Sequence, residues 1–171
     1  MYTALFSPDF CASERLFSQL MQVSGRAGRA EIVGEVLIQT AFPQNALFDA
    51  LKSQDYVAYA DELLNERATM QFPPTSYFAL LKAEASDFNQ VSQFLNTASN
   101  LACAIPNEVT IYDTVRPQRE RLKGMERGQL LLQANSRGDL QRLLKTWMPQ
   151  LRAEKLSAKI RWALDIDPLE F

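Results

Sequence analysis

The sequence predicts a mixed α/β protein of the α+β kind, with a helical first part and a second part in the order β-α-β-β-α-β. Three observations point there. Residues 160–166, "IRWALDI", alternate Ile160, Trp162, Leu164 and Ile166 with Arg161, Ala163 and Asp165, the period of a half-buried strand. Residues 88–103 and the stretch from Gly138 to Leu151 instead place apolar side chains at helical spacing. Prolines rather than repeats or low-complexity tracts punctuate the chain, and 47% hydrophobic content over 171 residues suffices for a core.

In chain order, Ser13–Val23 reads as a short amphipathic helix with Leu16, Leu20 and Val23 inward, Phe17 and Met21 beside them and Ser13 as N-cap. "GEVLIQT", Gly34–Thr40, has the compact β-branched character of a buried parallel strand. Two helical patterns follow Pro43, the clearer with Tyr56, Tyr59, Ala60, Leu63 and Leu64 on one stripe, running to Met70 before "FPP" at residues 72–74 stops it. "YFALLKAEA" (77–85) reads as a strand, and the next helix turns Phe88, Val91, Leu95, Ala98 and Ala102 inward. Strands over 108–112 and 129–134 flank the basic stretch "VRPQRERLKGMERG". The helix from Gly138 buries Leu140, Leu143, Leu144, Trp147 and Leu151, with Pro149 expected to end or bend it. Phe88, Phe94 and Trp147 are read as core. This second half is a split βαβ arrangement, a ferredoxin-like sheet with both helices on one face. The expected divisions are 1–43, a helical linker at 44–74, and 75–171.

Composition removes several chemistries. There is no histidine, so serine-histidine and cysteine-histidine nucleophile pairs and histidine metal sites are excluded. Cys11 and Cys103 lack the paired spacing of a zinc site and are expected to be reduced, buried or half-buried thiols. No apolar run approaches the roughly 20 residues that span a bilayer, and no signal peptide is visible; the expectation is a cytoplasmic protein without a membrane partner. Residues 1–115 carry 6 Lys+Arg against 13 Asp+Glu, and residues 116–171 carry 12 against 7. The basic end is compatible with nucleic acid or an acidic peptide as partner, and equally with a solvated mixed-charge surface.

"QVSGRAGRA", residues 22–30, sets Arg26 and Arg29 in a three-residue repeat after a helix that delivers Gln22. Two guanidinium forks and an amide suit a terminal phosphate, and arginine can stabilise charge on a transferring phosphoryl group, worth roughly 10³–10⁵ in rate in nucleotide hydrolases. A glycine-rich loop with solvated arginines is the alternative. The stretch "LFSPDFCASERLFSQLMQVSGRAGRA" resembles the end of the second motor lobe of superfamily 2 helicases, with Q-x-x-G-R-x-G-R as their sixth motif. Through "GEVLIQT", "ERATMQFPP" and the closing "IRWALDIDP", essentially the whole chain resembles the primosomal protein N′ (PriA) family of replication-restart helicases.

The resemblance implies a remnant of a RecA-like helicase lobe followed by a ferredoxin-like, ribosomal-protein-like C-terminal domain. It implies a 3′-to-5′ DNA helicase of primosome assembly that recognises stalled forks. Gln22, Arg26 and Arg29 would then face ATP and magnesium held by the other motor lobe, and zinc would sit in a cysteine-rich module. These 171 residues contain no phosphate loop, no D-E-x-H box and no cysteine-rich module. The expectation is therefore a C-terminal fragment with no cofactor and no ATPase activity of its own, whose surviving activities are binding ones. Cys11 stands where the family usually has arginine, and "GMERGQLLLQ" lacks the family's frequent aromatic-arginine alternation, which weakens base stacking there.

Two further groups of residues bear on partners. In "NSRGDLQ", Ser136 is placed to cap a helix with Asp139 at its third position, and Arg137 and Gln141 stand four apart on one face, making a small anion pocket or simply an exposed helix start. In the family the matching arginine and glutamine help bind the acidic tail of the single-stranded DNA-binding protein. Arg116, Arg119, Arg121, Lys123 and Arg127, set against Glu120 and Glu126, read as a phosphate-tracking arm on branched and single-stranded DNA, or as a solvated hairpin. The resemblance adds other primosome proteins as partners. A self-standing nucleic-acid-binding domain of the same topology is the alternative reading, though no RNP-type aromatic pair supports it.

Overall fold

A computed structural model describes residues 11–27, 35–117, 121–122 and 124–169. It has two compact units that meet in sequence at Met70 and Gln71.

Among its described residues the first unit holds three helices, α1 (Ala12–Ala27), α2 (Ala46–Ser53) and α3 (Tyr56–Thr69). Asn45 caps α2 by accepting from the Leu47 N–H at 3.0 Å, and Asp55 caps α3 by accepting from Ala58 N–H at 3.0 Å. Between them Gln54 takes the left-handed conformation, φ 55°, that closes α2. Leu16, Phe17 and Leu20 of α1 bury against Leu47, Phe48 and Tyr59, so residues 46–69 share one apolar cluster with α1. Phe17 stacks on Tyr59 with centroids 4.7 Å apart, and Arg67 Nη2 lies 2.8 Å from Glu14 Oε2, tying α3 to α1.

Several local expectations are corrected here. Helix α1 begins at Ala12, so Ser13 lies inside its first turn and its side chain bonds Tyr59 instead of capping. Val23 is 56% exposed, because α2 and α3 cover only the 12-16-17-20 face. The α3 stripe narrows to Tyr59 for the same reason: Tyr56 and Leu64 are exposed and Leu63 is half-buried. Residues 35–40 of "GEVLIQT" form no strand, and Leu37 is 87% exposed. A buried strand needs partners on both edges, and among the described residues the first unit holds no other strand.

Burial, then the charges of Glu62 and Glu66, push the Tyr59 phenol up to about 12 from 10.0. The folded chain keeps this proton where the unfolded chain has released it. The associated stability is fully present below pH 10 and lost as pH rises toward 12. Alkaline melting of this unit between pH 10 and 12 is expected, and Tyr59→Phe should flatten that part of the Tm profile; an unchanged profile would contradict the assignment.

The second unit runs β1 (Tyr77–Ala85), α4 (Phe88–Ala104), β2 (Thr110–Ile111), β3 (Arg121–Leu122), β4 (Met125–Ala134), α5 (Arg137–Ala153), a 3₁₀ turn (Lys155–Ala158) and β5 (Arg161–Ile166). The sheet order is β2-β4-β1-β5, all neighbours antiparallel, with β3 folded back on β4. Apart from that short hairpin arm the element order is β-α-β-β-α-β, a split βαβ. Alternation along the strands sends Ala79, Leu81, Ala83, Gly128, Leu130, Leu132, Trp162 and Leu164 to one face, where both helices pack. Val91, Phe94, Leu95 and Ala98 of α4 and Leu140, Leu143, Leu144, Trp147 and Leu151 of α5 complete this core, and Trp147 Nε1 donates to the Ala98 carbonyl at 2.9 Å. Phe94 and Trp147 are fully buried core, while Phe88 packs at the edge.

Four details differ from expectation. Strand β2 is only two residues long. Strand β4 starts at Met125, four residues early, because its far end pairs with Glu84, Ala85 and the β3 hairpin. Helix α5 continues to Ala153 past Pro149, whose ring deprives only the exposed Lys145 turn of a donor while Leu151 still reaches the core. Ile166, read as inward, is 46% exposed, since β1 pairing ends there.

Candidate nucleic-acid and peptide interfaces

Because α1 extends to Ala27, Arg26 lies in its last turn rather than in a following loop. Gln22 and Arg26 are one turn apart on the same exposed face, an amide and a guanidinium open to solvent. A cation at this end also suits the helix dipole. Arg29 lies outside the described residues.

Arg116 and Arg127, the two members of the basic stretch whose side chains are described, do not share one face. Arg116 lays its guanidinium carbon 3.7 Å over the Phe88 ring centroid, and its Nη1 is 3.8 Å from Glu126 Oε2. Arg127, the next residue after Glu126, points to the opposite face of β4, away from the helices. Arg116 and Arg127 are thus separated by the sheet. The Arg121 backbone pairs opposite Glu126 in β3, while Arg119 and Lys123 lie outside the described residues.

Arg127 instead joins side chains that sequence reasoning does not single out. In the strand register Glu84 lies between Arg127 on β4 and Arg161 on β5, and Lys82 lies between Gln129 and Ala163 one row along. Arg161 Nη1 is 3.0 Å from Glu84 Oε1, and Lys82 Nζ is 2.8 Å from Asp165 Oδ2. Lys82, Glu84, Arg127 and Arg161 line a recess of about 210 Å³ on this face. Among the described residues Lys82, Arg127 and Arg161 share this face with Glu84 and Asp165, a row of basic groups spaced along the strands. The signal in the sequence is the alternation of Lys82 and Glu84 with Ala83 and Ala85, and of Arg161 and Asp165 with Trp162 and Leu164.

At the start of α5, Ser136 Oγ accepts from the Asp139 N–H at 3.1 Å and donates to Asp139 Oδ2 at 2.5 Å. The short aspartate takes the hydroxyl, whereas the glutamate of a full capping box would reach the backbone. Asp139 also receives Arg142. Arg137 and Gln141 are both exposed, one turn apart on α5. Arg137 has two neighbours not anticipated from the sequence: Asp167 Oδ2, 3.3 Å from its Nη2, and the Tyr77 ring, whose centroid is 5.5 Å from the guanidinium carbon.

Cys103 is exposed rather than buried, on the outward side of α4, and Cys11 is half-buried. Among the described residues no three His, Cys, Asp or Glu side chains are gathered to hold a metal ion. Among them, too, no helix is long and apolar enough to cross a membrane.

Residues 68–169 match the family model of the primosomal protein N C-terminal domain. The chain is similar to the replication restart protein PriA of Haemophilus influenzae, 37% identical over 169 residues that cover 97% of this chain and 23% of that protein. Its likeness to the PriA proteins of Rickettsia typhi (34% over 161 residues, 94% and 24%) and Chlamydia trachomatis serovar D (28% over 170 residues, 98% and 22%) is comparable. The chain therefore spans about a quarter of the length of these relatives. With residues 68–169, more than half of the chain, matched to that C-terminal domain, this chain belongs to the PriA family.

Proposed function

We propose that this chain serves replication restart as the DNA- and peptide-binding end of a superfamily 2 DNA helicase. In this reading the first unit is part of a RecA-like motor lobe, in which Gln22, Arg26 and Arg29 meet ATP and magnesium bound by the other lobe. The exposed Leu37 in a strand-like sequence supports it, being an apolar side chain set for a sheet whose other strands lie elsewhere. Without a phosphate loop the 171 residues alone release no phosphate from ATP, with or without forked DNA. Arg137 and Gln141 take the acidic tail of the single-stranded DNA-binding protein.

The observation that carries DNA binding is the sheet face opposite α4 and α5, where Lys82, Arg127 and Arg161 stand in adjacent rows. Lysine and arginine there can meet successive phosphates without reading bases. Titrating fluorescent forked DNA at several salt concentrations tests it. The Arg127→Glu, Arg161→Glu double variant is expected to bind more weakly, and its log K against log salt slope should be shallower by about 0.9 for each duplex phosphate no longer neutralised. Unchanged affinity and slope would remove this face from the interface, and Arg116→Glu then tests the opposite one.

A further inference from the structure

Arg137 keeps 69% of its side chain in solvent, yet its fork is engaged by the Asp167 carboxylate. The backbone, not this ion pair, delivers that carboxylate. Asp167 follows β5 directly, takes φ 54°, and donates its N–H to the Phe78 carbonyl at 2.9 Å, while Pro168 beside it is buried. Tyr77 also offers the guanidinium a ring within cation–π range. An aromatic ring and a carboxylate around one arginine are the partners that a peptide ending in an aromatic residue and a free carboxylate would itself supply.

We propose that Asp167 is an internal stand-in for a peptide's terminal carboxylate, displaced from Arg137 when an acidic peptide docks, while Tyr77 holds the guanidinium in orientation. The proposal rests on the peptide-binding reading above. A guanidinium takes a carboxylate through paired donors in one plane, and Nη2, the donor Asp167 contacts, belongs to both of its bidentate edges, so Asp167 and an incoming terminus compete for it. The exposed pair is weak enough to exchange readily.

The test is a titration of the whole chain with a short oligo-aspartate peptide ending in phenylalanine, as free acid and as C-terminal amide. Asparagine tolerates the left-handed backbone at this position, so Asp167→Asn removes the charge without disturbing the turn. It is expected to tighten the free acid about two- to fivefold, the range of an exposed ion pair, and the amide less. Asp165→Asn removes an equal charge next to Lys82 and should tighten neither. Arg137→Ala should weaken the free acid. If Arg137→Ala weakens it but Asp167→Asn does not tighten it, or tightens acid and amide alike, the stand-in role is overturned while the peptide reading survives. If Arg137→Ala changes nothing, the peptide reading fails and the stand-in role with it.

Discussion

Replacing Trp147 by alanine is expected to cost about 3–5 kcal/mol, the largest loss any single side chain in the second unit should show. Its indole is fully buried between α4, α5 and the sheet, where its neighbours Phe94 and Leu143 also have essentially no exposure. Truncation leaves a cavity whose walls belong to three elements and cannot all close on it. It also removes the Nε1 bond to the Ala98 carbonyl, the direct polar tie between the two helices there. For a unit of this size the loss lowers Tm by roughly 15–30 °C. Trp147→Phe keeps most of the apolar volume and should cost about half as much. Thermal denaturation followed by circular dichroism measures both, and a shift of only a few degrees for the alanine variant would contradict this packing.

Gly128→Val should come next, at about 3 kcal/mol, and for the opposite reason. A Cβ at this position would lie 2.8 Å from both Leu95 Cδ1 and Val91 Cγ1, with Phe88 Cε2 at 3.8 Å. The missing side chain lets α4 lie directly on β4, and both obstructing atoms belong to buried residues with few rotamers to move into. Gly128→Ala is expected to cost about 1–2 kcal/mol. Because the clash is shared, Val91→Ala should cost less in the Gly128→Ala background than alone, a coupling that a double-mutant cycle reads directly. Strict additivity would show that the helix shifts rather than the side chains.

The elements that the sequence makes legible are those whose apolar period closes on itself. In β1, α4, the second half of β4, α5 and β5 nearly every inward position finds its partner within the same unit, so periodicity and burial agree. In α3 they part company: Tyr56, Leu63 and Leu64 repeat correctly, but among the described residues of the first unit only two other helices are present to cover them. The candidate sites divide in the same way. Gln22 with Arg26, and Arg137 with Gln141, are local spacings on single helices and are visible in a string of letters. The row Arg127-Glu84-Arg161 exists only once three strands are in register, and Asp167 reaches Arg137 across thirty residues through a turn that no local pattern specifies. Arg116 and Arg127 illustrate the converse, since near neighbours in the chain lie on opposite faces because β4 starts before Arg127.

The uncovered segment 35–40 also governs how this polypeptide behaves among its own copies. "EVLIQT" combines three consecutive aliphatic residues and a threonine with one charge and no proline or glycine, and among the described residues its backbone joins no ladder, beside an 87%-exposed Leu37. Such a stretch is a template for strand addition between molecules, and Glu35 is its one electrostatic gatekeeper. With a net charge of only −2 to keep copies apart, this stretch is expected to favour association at high concentration, and Leu37→Lys should lower light scattering from concentrated solutions.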